Sequence, residues 1–121
     1  MRKLLILSAF VFLAAFTTGR PSAVGETVFA WWEPNQIYFV GTVVEEQGDR
    51  ALVVFEDGDN AVVARARIRP LDIKAGSRVF AKWTDNKYYP GRVDRIVGRA
   101  LYIKFDDGDE RWTSWAGIAE R

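Results

Sequence analysis

Three short phrases occur twice in this chain, in the same order, and that repetition limits the fold more than any composition can. Val28-Phe29-Ala30-Trp31-Trp32 returns as Val79-Phe80-Ala81-Lys82-Trp83. Tyr38-Phe39-Val40-Gly41 returns as Tyr88-Tyr89-Pro90-Gly91, and Phe55-Glu56-Asp57-Gly58-Asp59 returns as Phe105-Asp106-Asp107-Gly108-Asp109. The offset is 51 at the tryptophans and 50 from the central glycines onward, so one residue near Gln36 has no counterpart in the second copy. Two homologous modules in tandem explain the pattern most simply.

Each copy reads as short strands punctuated by turns. In the first, Thr27 to Trp32 is apolar and β-rich, Glu33-Pro34-Asn35 breaks it, and Ile37 to Val44 forms a second strand with Gly41 as the expected bulge or bend. Gln47-Gly48-Asp49 turns the chain into Ala51 to Phe55, Asp57-Gly58 closes a tight hairpin, Asn60 to Ala64 returns, and Ile68 to Leu71 ends the copy. The second copy repeats this plan with Val79 to Trp83, Arg92 to Ile96, Leu101 to Phe105 and Glu110 to Ser114, with a helical turn expected at Trp115 to Ile118. Regular short strands with glycine turns, and no amphipathic helix, predict small antiparallel barrels. The boundaries expected are 1–23 for a leader, 24–72 for the first barrel and 75–121 for the second. The linker Asp72-Ile73-Lys74-Ala75 is short enough that the barrels should pack side by side.

The leader is a different kind of sequence. Arg2 and Lys3 precede an uncharged apolar run from Leu4 to Phe16, too short to span a bilayer as a helix and followed by small residues. It reads as a secretory signal peptide, with Thr17-Thr18-Gly19 or Pro21-Ser22-Ala23 at the processing point, and makes the protein secreted or periplasmic. The alternative is a retained N-terminal anchor. Without Arg2, Lys3 and Arg20, 14 basic residues face 16 acidic ones, a balance of −2 that argues against general nucleic-acid affinity. Arg65, Arg67 and Arg69 form a local exception, expected to alternate onto one strand face.

Cysteine and histidine are absent. That excludes disulfides, a lipoprotein anchor, Cys or His metal sites, thiol nucleophiles and Ser-His triads. Asp106, Asp107 and Asp109 flank a glycine, but a calcium loop needs more oxygen ligands and a distal glutamate. Asp-Gly is also ordinary hairpin chemistry. No catalytic residue, cofactor or metal site is expected.

Aromatics at strand ends beside a carboxylate can form a cage for an organic cation, because ring faces carry negative potential and the carboxylate adds a full charge. The phrases Arg78 to Trp83, Tyr88 to Val93 and Phe105 to Asp109 resemble a Tudor domain, particularly the tandem Tudor modules of chromatin and DNA-damage readers. The resemblance covers both copies and is stronger in the second. It implies five-stranded SH3-like barrels that bind methylated lysine through an aromatic cage. By position it assigns Trp83, Tyr89 and Phe105 as walls and Asp107 as the acid, with Trp32, Phe39, Phe55 and Asp57 as a second cage. Asp109 and Asp59 stand where the family often has a further aromatic.

An exported chain meets no histone tails, so the expectation is a non-enzymatic tandem Tudor-like binding protein for a cationic or methylated group on a peptide or small molecule. The main alternative is a structural or adaptor module that presents loops or an edge strand to an envelope protein or polysaccharide, with the aromatics serving as core. Nucleic-acid binding through the three arginines and exposed aromatics is the third reading.

Overall fold

The computed structural model describes residues 23–121, so the expected leader lies outside the described residues except for Ala23. Ten strands follow in order: β1 (Thr27–Trp32), β2 (Ile37–Gln47), β3 (Arg50–Phe55), β4 (Asn60–Ala64), β5 (Ile68–Pro70), β6 (Arg78–Lys82), β7 (Tyr88–Val97), β8 (Ala100–Phe105), β9 (Glu110–Ser114) and β10 (Ile118–Glu120). Single 3-10 turns at Arg65–Arg67 and Trp115–Gly117 precede β5 and β10. The fold is all-β, two five-stranded antiparallel barrels of the SH3-like, Tudor-like type.

The strands form where polar and apolar residues alternate. In β3, Ala51, Val53 and Phe55 point into the core; in β8, Leu101, Ile103 and Phe105 do the same. Hairpin chemistry fixes the registers. In the β8–β9 turn Gly108 takes a φ of 99°, Asp107 Oδ1 accepts the Asp109 N–H at 3.0 Å, and the Phe105 N–H donates to Asp109 O at 2.8 Å. The β3–β4 turn repeats this with Gly58, Asp57 and Asp59.

Three local expectations are corrected. β2 runs further than the sequence indicates because its ladder resumes after a bulge between Val43 and Glu45, and β7, which carries a like bulge between Val93 and Arg95, starts earlier because Tyr88 to Gly91 pair with β6. Gly41 is therefore not the bulge. It is a close-approach glycine: a Cβ there would lie 2.6 Å from Val53 Cγ1. Arg65, Arg67 and Arg69 do not share a strand face, because the 3-10 turn ends the alternation before β5 begins. They diverge instead: Arg65 pairs with Glu46, Arg67 stacks 4.3 Å from the Trp31 ring centroid, and Arg69 reaches Tyr38 and Glu120.

The repeats are joined through strands as well as side chains. β5 pairs with β1, and its counterpart β10 pairs with β6 on one edge and β2 of the first repeat on the other, with Ala119 opposite Phe39 and Glu120 opposite Tyr38. One sheet thus runs β4-β3-β2-β10-β6-β7-β8-β9, with β1 and β5 closing the first barrel. Val28, Ala30, Val43, Ala51, Val53, Phe55 and Val63 form the first core. The second core includes Val79, Val93, Leu101, Ile103 and Ile118, but it also takes Phe29, Tyr38 and Val40 from the first repeat. Leu71, which follows β5, and Ile73 of the linker pack against it. Burying these shared side chains ties the repeats together, since each fully buried large apolar side chain contributes roughly 1.5–3 kcal/mol.

Candidate functional site

The second repeat brings Trp83, Tyr89, Phe105 and Asp107 around one cavity of about 250 Å³, together with Asp85 and Asp109. Trp83 directly follows β6, Tyr89 is the second residue of β7, Phe105 ends β8, and the two aspartates belong to the β8–β9 hairpin. Three strand ends and two turns therefore converge at one end of the barrel. Trp83 meets Phe105 edge to face, with ring centroids 5.3 Å apart and planes at 82°. Phe105 is 6% exposed and forms the floor of the cavity, whereas Tyr89 is 39% exposed and forms a side. The Phe105 ring is thus both core and lining, which joins the two readings the sequence leaves open.

Asp85 is the residue that sequence reasoning missed. It accepts the Tyr89 hydroxyl at 2.6 Å through Oδ2 and the Lys87 N–H at 2.9 Å through Oδ1, which fixes the Tyr89 ring as a wall. Those two hydrogen bonds, the hydroxyl first, hold the Asp85 carboxyl below the usual carboxylate range, and the same carboxylate raises the Tyr89 hydroxyl. Pro34 stands at this place in the first copy, so comparing the copies hides Asp85. The sequence did hold a signal, an aspartate two residues before a turn N–H that it can cap.

No basic side chain lines the cavity. The Arg111 guanidinium lies 5.6 Å from the Trp83 ring centroid, so that indole already engages one cation of the protein itself. Asp107 uses Oδ1 for its turn, and its other oxygen has no hydrogen bond within the described residues.

The first repeat builds its site in the same way and then shares it. Trp32 meets Phe55 edge to face at 5.3 Å and 73°, nearly duplicating the Trp83–Phe105 pair. Trp32, Phe39, Phe55 and Asp57 do surround a common cavity, but it holds only about 50 Å³ and is also lined by Tyr88, Trp115 and Ala116 of the second repeat. Phe39 packs against Tyr88 with centroids 5.4 Å apart, and the Tyr88 hydroxyl donates to Ala116 O at 3.2 Å. Burial, with the Asp57 charge second, raises the Tyr88 hydroxyl. Neither Tyr88 nor Trp115 could be found from the first copy, because the contact is made across the repeat boundary.

Among the described residues, no group of three or more acidic side chains is placed to hold a metal ion, and no helix is long and apolar enough to cross a membrane.

The architecture is a tandem pair of five-stranded SH3-like barrels. The chain is similar to the crystal structure of tandem Agenet domain 3-4 of ADCP1, with a TM-score of 0.40 and 19% identity over 82% of this chain and 79% of that one. It is also similar to AGD34 of Arabidopsis thaliana AGDP1, with a TM-score of 0.42 and 18% identity over 82% of each chain. No family model and no curated protein matches it.

Proposed function

We propose that the protein is an exported, non-enzymatic binding module that holds a cationic or methylated ammonium group, carried by a peptide or a small molecule, in the second-repeat site. One observation carries this reading: three aromatic rings and three carboxylates converge on one cavity that no basic residue lines. A volume of about 250 Å³ is below the roughly 300–1,000 Å³ of sites that enclose a drug-sized molecule, so it suits the head of a side chain. Trp83 and Tyr89 supply ring faces, Phe105 closes the floor, and Asp107 offers its unused oxygen to an ammonium that still carries a proton. Asp109 takes the place of a further ring. The cavity therefore sets as many carboxylates as rings around its ligand, and it favours ammonium groups that retain hydrogen-bond donors.

Titration of the chain from residue 24 with dimethyllysine, trimethyllysine and choline, followed by tryptophan fluorescence, tests the reading. Trp83→Ala should weaken binding by about tenfold or more while the barrel remains folded. Absence of any saturable response at millimolar ligand would remove the proposal and leave the adaptor reading, in which the aromatics serve packing alone.

A further inference from the structure

The first-repeat cavity is lined by aromatic rings of both repeats. Taken by position, its walls are Trp32, Phe39 and Phe55, and Asp59 leaves a gap where another ring would stand. The structure fills that gap from the far side of the repeat boundary with Tyr88 and Trp115. Tyr88 is fixed there by its contact with Phe39 and its hydrogen bond to Ala116 O, at the start of the segment that leads into β10. Because β10 pairs with β2 at Tyr38 and Phe39, the strand that welds the repeats together also sets the position of these two walls.

We infer that this composite cavity is a second binding site, selective for a methylated ammonium head, and that it exists only while the two repeats are docked. The inference rests on the reading that aromatic and carboxylate clusters in this protein receive ammonium groups. Size supports it: about 50 Å³ is room for a group of a few heavy atoms, since a single water needs about 10–15 Å³. No basic residue lines the cavity, and Glu56, Asp57 and Asp59 supply charge, Glu56 being paired with Arg99 at 2.6 Å. Composition separates the two sites. Each cavity is lined by three carboxylates, but five rings surround the first and three the second, so ring faces make up the larger share of the first. A methylated ammonium has few or no N–H groups to leave unsatisfied against rings, whereas an unmethylated one has three. The first site therefore discriminates by methylation more sharply than the second.

The test follows the indole N–H signals of the chain from residue 24 by NMR, assigned with single Trp→Phe variants, during titration with trimethyllysine and with lysine. The Trp32 and Trp115 signals report the composite cavity and the Trp83 signal reports the second-repeat site. Trimethyllysine should move Trp32 and Trp115 saturably, and lysine should move them at least about tenfold more weakly. Tyr88→Ala should weaken the Trp32 response by about tenfold and leave the Trp83 response unchanged, which also shows that the second barrel is folded. Tyr88→Phe keeps the wall and should keep the response, even if Tyr88→Ala proves too unstable to use. A Trp83 response with Trp32 and Trp115 unmoved would overturn the composite site and spare the proposed function. Movement at Trp32 and Trp115 alone would support the composite site and remove the second-repeat one. Equal responses to lysine and trimethyllysine at Trp32 would overturn the selectivity.

Discussion

Phe29 and Phe80 occupy the same place in the two repeats, yet Phe29 is 1% exposed and Phe80 is only half-buried, with the Arg121 guanidinium 4.7 Å from its ring centroid. The difference extends along the strands. In β1, Val28, Phe29 and Ala30 are all buried; in β6, only Val79 and Ala81 are. Strand β1 lies between two cores, giving Val28 and Ala30 to its own barrel and Phe29 to the other. The same asymmetry governs the sites. Tyr89 is a free wall of an open cavity, whereas its counterpart Phe39 is covered by Tyr88. Repeats that share the same phrases thus yield one roomier site and one narrower site, because Tyr88 and Trp115 of the second repeat line the first cavity and no residue of the first repeat lines the second.

Substituting the paired phenylalanines should give the largest contrast. Phe29→Ala removes a ring from a shared core and should cost about 3–5 kcal/mol in denaturant unfolding. Phe80→Ala should cost about 1 kcal/mol. Equal losses would contradict the view that only β1 is buried on both faces. Because the cores share side chains, unfolding should also proceed as one transition in fluorescence and far-ultraviolet dichroism, not two.

A smaller effect is expected at the seam itself. Arg69 lies 3.7 Å from the Tyr38 ring centroid and donates to Glu120 Oε1 and Arg121 O, each at 2.8 Å, so it clamps the end of β10 to the first repeat. Arg69→Ala should cost about 1 kcal/mol, since the pair is partly open to solvent, and should increase hydrogen exchange at Ala119 and Glu120 more than at β8. Uniform exchange changes would show that Arg69 does not act locally on the seam.

The smallest effect concerns the acid found only in the second repeat. Asp85 is held below the usual carboxylate range by the Tyr89 hydroxyl and the Lys87 N–H. A depressed carboxylate contributes its stabilisation above the unfolded value and loses it as pH falls through the folded value. The Tyr89 wall should therefore stay fixed through mild acid and loosen only as pH falls below the ordinary carboxylate range. Asp85→Asn should weaken cation binding at the second site a few-fold at about pH 7 without changing the first site. A decline in binding that begins well above the carboxylate range would point to a different controlling group.

Much of this was legible in the chain because it is local. The alternation in β3 and β8 is a period of two that any half-buried strand shows, and Asp57-Gly58 and Asp107-Gly108 state their hairpins outright. Trp83, Tyr89, Phe105 and Asp107 were grouped by the resemblance to a Tudor domain, and each sits at or beside a strand end. What misled was also local. Gly41 reads as a bulge glycine, but its lack of a Cβ is required by Val53 on the neighbouring strand, and the bulge falls at Val44. Arg65, Arg67 and Arg69 read as a strand face because alternation cannot register a 3-10 turn of three residues.

By itself the sequence determined the duplication and the strand and turn order of each barrel, since these follow from short-range periodicity and turn chemistry, while its resemblance to a Tudor domain named the four residues that converge in the second repeat. Only the tertiary structure decided that β10 would serve both barrels, that Phe29, Tyr38 and Val40 would join the other core, and that Tyr88 and Trp115 would complete the first cavity. Those outcomes depend on which exposed apolar face of one barrel meets the other. The two repeats share their phrases and turn signals, so the difference in how each is buried comes from the long-range packing of one against the other.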